Sequence, residues 1–563
     1  MATTATNDRG AVRRWLRAMD RTVAPWLRPL LLRFPSLMRR LQRMRRRVVG
    51  APAAHEGERA PGDDLPDDGQ PGIRLAWPAE GATIDGACVL AGEATTGSAR
   101  PTAIRWRWST SDGAAHDARC GPWWTGVGAH VATTDATQRP PRTGFAIPLD
   151  ESRLPPDGPA TLHIEVADAE PPFASSHQLV VRRRPDPRDV SRGLPFGVNI
   201  TGHIHSEKGV GESVRASVRM FDAVDVPTRV IDFRDPGSHN LDRSVRAATP
   251  ADPPFAVDLL HLNADLLPAS IRGERLRRER LTIAYWAWEL PSFPLVWCDR
   301  FAMVDEVWVP SRFVRDALLP VSPVPVTVIP PCLAPMPVTP DECAAERRRA
   351  GIPPGARLVL TMFDFHSVMQ RKDPLASIEA FRQAFADRDD VHLLLKTSRG
   401  HDVPDAYAMV EAAARNVPRV HLMDRVLPRQ NLIALVASCD VLLSLHRSEG
   451  FGLGLAEAMA ARVPVVATGW SGSEDIVSDA TALRVDSRLV EIEHDHGPYR
   501  AGAIWAEPDV AHAASLMRDV FDRPDATAGR VARGYDDVTR RFAPATVGQA
   551  ARARLVERLG RDA

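Results

Sequence analysis

Residues 446–468 read HRSEGFGLGLAEAMAARVPVVAT. The stretch puts Glu449 after a strand, a glycine-rich turn over Gly450, Phe451, Gly452, Leu453 and Gly454, Glu457 one turn into a helix, and a buried strand at PVVAT. Strand, glycine turn, amphipathic helix and strand in that order are the repeating piece of an α/β fold. The amides of such a turn and of the helix start make a site for an anion or for hydroxyl oxygens. Glu449 and Glu457 bracket the turn, so carboxylates flank bound polyol and phosphate groups. The plain alternative is a glycine turn with an incidental acid, and the succession of elements argues against it.

Strand–helix alternation extends upstream. RLVLTMF (357–363), a helix over 374–386, VHLLLK, RVHLMD, a helix over 429–437 and DVLLSL lead into the quoted stretch, whose own helix runs over 453–461. An earlier block has the same character: FGVNI, a helix from Glu212 to Val224, TRVIDF, DLLHLN, LTIAYW, EVWVP with a helix from Ser311, and VTVIP. Two doubly wound units in tandem, over 195–345 and 346–563, predict a cleft at the carboxyl ends of both sheets.

The pattern changes before residue 195. Residues 73–184 carry short alternating runs such as GIRLAW, AIRWRWS and ATLHIEVADA between Gly/Pro/Asp turns, predicting a small antiparallel β-sandwich of immunoglobulin type. Trp106, Trp108, Trp123 and Trp124 in it are candidates for a sugar-stacking platform, or for sandwich core. Residues 51–72 and 185–194 read as linkers, the first without any periodicity. Between Arg13 and Arg47 lie twelve arginines against one acid, Asp20, interleaved with Trp15, Leu16, Trp26, Leu30 and Phe34. Residues 1–50 thus form a basic amphipathic arm, broken by Pro25, Pro29 and Pro35. Its segment 13–48 suits an anionic membrane surface, or else a solvated or partner-packed arm.

Composition narrows the classes. Among 563 residues, 44% are hydrophobic and 25% charged, which excludes wholesale disorder. The 71 basic and 71 acidic side chains cancel, so the whole-chain field gives no reason to expect a nucleic-acid partner. Six cysteines without CxxC spacing suggest neither a zinc site nor a disulfide framework, although Cys88 and Cys120 share one segment and could pair. A reducing compartment fits best. No apolar stretch approaches a spanning helix, nor is there a secretory leader, so the expected location is cytoplasmic, peripheral on the inner face of the membrane. Only Lys208, Lys372 and Lys396 among the basic residues are lysine, which marks each as a candidate for a place that needs a compact ammonium.

With these residues in view, the E-x7-E spacing of Glu449 and Glu457 around GFGLGLA resembles the signature of glycosyltransferase family 4, retaining enzymes of GT-B fold with two Rossmann-like domains facing a cleft. The resemblance covers about residues 195–563. GVNITGHIHSEKGVGES, AYWAWELPSFP, FDFHSVMQRKDPLASIEAF and RLVEIEHDHGPYRAGAIWAEPDV look like the members that assemble polysaccharide and O-antigen. It implies transfer of a sugar, with retention, from a nucleotide-sugar donor to a glycan or lipid-linked acceptor in cell-surface polysaccharide or lipopolysaccharide assembly. Residues 195–345 would be the acceptor side. Residues 346–563 would be the donor domain with C-terminal helices.

The resemblance also distributes roles. Glu449 takes donor-sugar hydroxyls, the loop Gly450, Phe451, Gly452 and Leu453 offers amides to sugar and diphosphate, and Glu457 takes the ribose hydroxyls. A basic pair on the diphosphate falls to Arg371 and Lys372 in MQRKDP; the family's cation directly after the strand is replaced here by Phe363-Asp364-Phe365, leaving Arg371 as its substitute. Gly209 and Gly211 before the first helix face the donor phosphates, and Lys208 beside them meets phosphate or acceptor. Lys396 closes a strand and is either functional or a solvated strand end. His446 reaches the cleft or packs beneath the loop. Where many relatives have a His at the end of a first-domain strand, AYWAWEL offers Trp286, Trp288 and Glu289, the last binding an acceptor hydroxyl or capping a helix.

No cofactor and no metal is expected, since GT-B relatives need none. Asp387-Arg388-Asp389 matches the DxD metal motif of another glycosyltransferase fold but sits in a charged turn. The rival readings are a glycan-binding or scaffold protein built on an inactive GT-B pair, and a GT-B phosphorylase or epimerase.

Overall fold

The computed structural model describes residues 72–95, 104–110, 143–166, 173–248, 254–267, 279–335 and 337–561. The basic arm, nearly all of the first linker, Cys120, Trp123 and Trp124 lie outside the described residues.

Alternation of buried and exposed positions builds the first layer pair. Strands β1 (Gly72–Trp77), β3 (Cys88–Thr95) and β5 (Thr143–Leu149) form one sheet in the order β1-β3-β5. A second has the order β2-β7-β6-β4, from β2 (Thr83–Asp85), β4 (Ile104–Thr110), β6 (Gly158–Val166) and β7 (Phe173–Arg182). Leu90, Ile147, Leu162 and Val181 from both sheets share one apolar core, so the two sheets pack as a β-sandwich. It is not wholly antiparallel: the chain leaves the first sheet after β1, and the three-residue β2 runs parallel to the edge of β7. Trp106 and Trp108 point into the core on the same face of β4, which removes them as a sugar platform. The five cysteines among the described residues, Cys88 included, are free thiols.

The predicted linker at 185–194 is ordered. It contains a helical turn, Pro187–Val190, and Arg561 near the chain end donates to the Arg192 carbonyl at 3.3 Å. Nor is the sandwich a free module. Val89, Ala91 and Ala146, on the outer face of its three-stranded sheet, join the core cluster of the next unit beside Cys298 and Phe301.

That unit has strands β8 (Val198–Gly202), β9 (Thr228–Asp232), β10 (Val257–His261), β11 (Leu281–Tyr285), β12 (Glu306–Val309) and β13 (Val326–Val328). All neighbours are parallel, in the order β13-β12-β11-β10-β8-β9. The next unit repeats the plan with β14 (Arg357–Asp364), β15 (Val391–Ser398), β16 (Val420–Asp424), β17 (Val441–Ser444), β18 (Val465–Thr468) and β19 (Leu483–Val485). Its order is β16-β15-β14-β17-β18-β19, again all parallel. Both faces of these strands are covered: in β14, Leu358 and Leu360 enter one apolar cluster, Val359 and Phe363 another. This is the two-Rossmann arrangement of the GT-B fold. In such sheets ligands bind outside the carboxyl ends of the strands where the order reverses. Here those points lie between β8 and β10 and between β14 and β17.

Three boundaries differ from the sequence expectation. The first-unit helix begins at Gly209 rather than Glu212, so the predicted glycine loop is the helix's first turn. The expected division at 345/346 cuts helix Pro340–Arg349, which goes whole with the second unit because Arg347 donates to the Ser438 carbonyl at 2.7 Å. The final helix, Pro544–Leu559, returns to the first unit, where Val547, Ala551 and Leu555 share a core with Val214 and Met220. Among the described residues no helix is long and apolar enough to cross a membrane.

Candidate active site

The carboxyl ends of the two sheets enclose a cavity of about 1120 Å³. All three lysines of the chain, Lys208, Lys372 and Lys396, line it. In a protein that otherwise uses arginine, this places every compact ammonium in one site.

After β14 the chain makes a short 3-10 turn, a single helical turn Met369–Lys372, and a left-handed residue, Asp373, whose carboxylate caps helix Pro374–Phe385 by accepting from the Ala376 amide at 3.2 Å. This path aims Lys372 at the loop after β17, where its ammonium donates to Glu449. Arg371 is more deeply set. It donates to the carbonyls of Ser367 (3.1 Å) and Ser448 (2.7 Å), with Glu449 Oε2 3.4 Å away, so it ties the two loops together from behind the ion pair. Burial alone would raise the Glu449 carboxyl, but Lys372 and Arg371 hold it down at about 2. Burial in turn pulls the Lys372 ammonium below the ordinary lysine range, with Glu449 opposing.

The glycine turn has the expected shape. Gly452 precedes helix Leu453–Ala460 at φ +93°, a left-handed conformation that glycine adopts without penalty. Helix geometry gives the first two amides of that helix, those of Leu453 and Gly454, no intrahelical carbonyl, the Leu455 amide already bonding the Gly452 carbonyl at 2.9 Å, and Gly450, Gly452, Leu453 and Gly454 all line the cavity. Phe451 contributes backbone only, because its ring packs edge-on against Phe542 at 5.3 Å in the core. Gly472, which sequence reading passed over, supports the turn: a Cβ there would lie 2.2 Å from the Gly450 carbonyl oxygen.

Glu457 also lines the cavity, and its carboxylate is ion-paired to Arg429. Burial pushes this carboxyl up and Arg429 opposes the push. Arg429 stands 3.7 Å from Glu212 on the first-unit helix, so it bridges the two units. Nothing in RVLPRQN set it apart, because arginine is this chain's usual surface cation.

On the first-unit side, Lys208 ends at Asp235 (3.1 Å) and Gly209 opens onto the cavity. Gly211 does not line it. A Cβ on Gly211 would fall 2.2 Å from the Ser206 carbonyl oxygen, so this glycine serves close packing of the helix start instead of ligand contact. Lys396 is lowered to about 8 by burial, against the pull of Asp364.

Trp288 and Glu289 line the cavity. Glu289 caps no helix: its Oε2 accepts from the Tyr499 hydroxyl at 2.9 Å, and its carbonyl accepts from Ser448. Tyr499 belongs to the loop between β20 (Ser487–Glu491) and β21 (Ile504–Pro508), an antiparallel hairpin whose Tyr499 and Trp505 enter the first unit's core cluster. Trp286 also lines the cavity but is fully buried in that cluster, stacked on Phe293 at 5.6 Å. His446 is not in the cavity. Fully buried beneath the loop between Ser444 (3.0 Å) and Ser473 (2.9 Å), it is lowered to about 4 by burial, so it packs and does not titrate near neutrality. Asp387 and Asp389 lie elsewhere, paired to Arg518 (2.6 Å) and Arg419 (2.8 Å) in the charged turn.

Sequence reasoning missed His203 and His261 in the cavity wall. His261 ends β10, stacks on Tyr285 at 4.4 Å and bonds Ser217 at 2.9 Å. Its position at the carboxyl end of a strand beside the order reversal was the available signal.

Residues 360–495 match the family model described as glycosyl transferases group 1. D-inositol 3-phosphate glycosyltransferase of Mycolicibacterium gilvum is 28% identical over 197 residues, 34% of this chain and 38% of that protein. N-acetyl-alpha-D-glucosaminyl L-malate synthase of Bacillus anthracis is 28% identical over 134 residues, 23% of this chain and 32% of that protein. The chain thus spans about a third of the length of the curated relatives it matches. Among solved structures, Anabaena HepE in complex with UDP-glucose aligns with a TM-score of 0.49 and 15% identity, over 64% of this chain and 100% of that one. Sucrose-phosphate synthase of Thermosynechococcus elongatus aligns with 0.45 and 16%, over 65% and 99%. From β14 to the start of the hairpin loop, where Lys372, Glu449 and Glu457 converge on the cavity, the chain is therefore similar to the glycosyl transferases of group 1.

Proposed function

We propose that this chain is a glycosyltransferase that moves a sugar from a nucleotide-sugar donor to a glycan or lipid-linked acceptor, with retention at the anomeric carbon, in the assembly of a cell-surface polysaccharide. The observation that carries the reading is the convergence of Lys372, Glu449, Glu457 and the glycine turn on one cavity between two doubly wound units. Retention and the acceptor class rest on the family resemblance.

The donor diphosphate lies at the first turn of helix Leu453–Ala460, where free amides and the helix dipole favour negative charge. Lys372 stands beside it and stabilises the charge that grows as the nucleoside diphosphate departs. Glu449 accepts from hydroxyls of the transferred sugar, and its ion pair opposes the burial that works against the Lys372 charge. Arg371 holds the two loops in register. Glu457 takes the ribose hydroxyls once Arg429 yields part of its contact. No step needs a metal or cofactor. The arm of residues 1–50 brings the enzyme to an anionic cytoplasmic membrane face where lipid-linked acceptors lie.

The test is thermal stabilisation of the full chain by UDP, GDP, ADP and their sugars, followed by acceptor-independent hydrolysis of the sugar that stabilises most. A stabilising nucleotide and slow hydrolysis are expected. No shift with any of them would leave the scaffold reading in its place.

A further inference from the structure

One wall of the cavity is aromatic, and the donor roles above do not use it. Trp288, Trp297, Phe293 and Tyr499 line the cavity as neighbours in an unbroken series. Trp297 stands edge-on to Trp288 at 5.2 Å and 84°, and Tyr499 is 5.7 Å from Trp288. Their positions are fixed from behind. The Trp288 indole donates to the Ser292 carbonyl at 2.8 Å, and Trp297 rides on the 3-10 segment Leu295–Met303, whose Cys298 and Phe301 are fully buried. Trp297 itself is only partly buried.

Within this wall sits the Glu289 carboxylate, and Asp265 also lines the cavity. Glu289 is fixed by Tyr499 through Oε2, which leaves Oε1 to accept from a bound hydroxyl. The wall also abuts the reacting pair. Ser448, next to Glu449, donates to the Glu289 carbonyl, and the Arg371 guanidinium lies 5.8 Å from the Tyr499 ring centre.

We propose that this wall is an acceptor subsite for an uncharged sugar ring, with Trp297 as the stacking surface that selects the ring and Glu289 as the acceptor of its hydroxyl proton in a hydrogen bond. The inference rests on the glycosyltransferase reading for the word acceptor, though not for the binding itself. A pyranose has an apolar C–H face and a polar rim, which matches an indole face beside the Glu289 carboxylate. An acceptor bearing phosphate or carboxylate fits poorly. It would meet Glu289 at close range, while the cations that feel Glu289, Arg371 and Lys372, are already paired with Glu449 and, with the donor in place, face a nucleoside diphosphate. The subsite also gives the β-sandwich a task. Val89, Ala91 and Ala146 of its outer face pack into the cluster that holds Cys298 and Phe301, so the sandwich braces the segment that carries Trp297.

The experiment is saturation-transfer difference NMR on the full chain with the methyl pyranosides of glucose, galactose, mannose and N-acetylglucosamine, each compared with glucose 6-phosphate and malate. It is run with and without UDP, GDP and ADP. At least one neutral pyranoside should receive saturation at its ring C–H protons and bind more tightly than both anions. Trp297→Ala should weaken that binding by roughly three- to tenfold, the worth of one ring contact, while Trp297→Phe retains most of it. Trp297→Leu keeps the volume without the ring and replaces the alanine variant should the latter fail to fold. Glu289→Gln should remove the preference for neutral over anionic sugars. The proposal is overturned if no pyranoside binds, if Trp297→Ala or Trp297→Leu binds as the parent does, or if the anions bind as well as the neutral sugars. Trp297-dependent binding without any nucleotide stabilisation would keep the subsite and remove the transferase reading. Nucleotide stabilisation without pyranoside binding would do the reverse.

Discussion

Lys372 and Glu449, separated by 77 residues of chain, form an ion pair at the meeting point of the loops after β14 and β17. The pair couples the cation proposed for the departing diphosphate to the acid proposed for the donor sugar, so neither can be changed without the other registering it.

Replacing Lys372 by Ala should lower turnover by about a hundredfold, the scale of losing one preorganised stabiliser of developing charge. Binding of the neutral nucleoside should change little. Measured kcat against nucleoside Kd separates the two effects, and a matched fall in both would argue for simple loss of the fold. Activity should persist in EDTA; loss with EDTA and rescue by Mn²⁺ would overturn the metal-free reading.

Acid stability should report on Glu449. Its folded carboxyl is held down at about 2 while the unfolded chain titrates near the ordinary value of about 4.3. The unfolded state therefore binds the proton first, so the stabilisation is fully present above about pH 4.3 and is lost as pH falls towards 2. The loss is on the order of 3 kcal/mol. Glu449→Gln should flatten this part of the stability profile in urea titrations. An unchanged slope would mean that other carboxylates dominate.

Glu457→Ala should weaken nucleoside diphosphate binding by about 1–3 kcal/mol, the scale of hydrogen bonds to a charged group. Arg429→Ala should instead act on the protein itself, costing about 3 kcal/mol of stability, because it leaves Glu457 buried without its partner. Isothermal titration and chemical unfolding on both variants check the division. Equal donor affinity in folded Glu457→Ala would remove that residue from the ribose role.

Two glycines make a matched pair. Gly472→Ala forces a Cβ into the Gly450 carbonyl and should cost about 1–3 kcal/mol while displacing the loop that carries Glu449. Gly209→Ala meets nothing within 4 Å in a helix's first turn and should be neutral or slightly stabilising. Melting temperatures decide. Comparable losses in both would show that helix entry, and not crowding, sets the cost.

Deleting residues 1–50 should release the protein from anionic vesicles and leave transfer to a water-soluble acceptor nearly intact, because the cavity is lined by residues from His203 onward. Each arginine near an anionic surface is worth about 1 kcal/mol, and the attraction fades within a Debye length. Binding should therefore fall steeply with salt. Equal flotation of intact and truncated chains would leave the arm as a protein contact.

Sequence by itself determined the element order, the two doubly wound units, the glycine turn and the lysines as markers of the site. These follow from local quantities: the period of apolar residues, the φ that only glycine adopts freely at Gly452, and the choice of lysine over arginine. Tertiary structure alone decided where side chains at loop ends point and which distant groups meet. The resemblance puts the C-terminal helices with the donor domain, yet the packing of the last one against Val214 and Met220 assigns it to the first unit. His446 is three residues from Glu449 and still turns away from the cavity, because Ser444 and Ser473 claim both ring nitrogens. Arg429 carries no local mark, and Tyr499, though inside RLVEIEHDHGPYRAGAIWAEPDV, takes no role from the resemblance. Their pairing with Glu457 and Glu289 exists only because the folded sheets bring together groups 28 and 210 residues apart, a relation that no local period or spacing encodes.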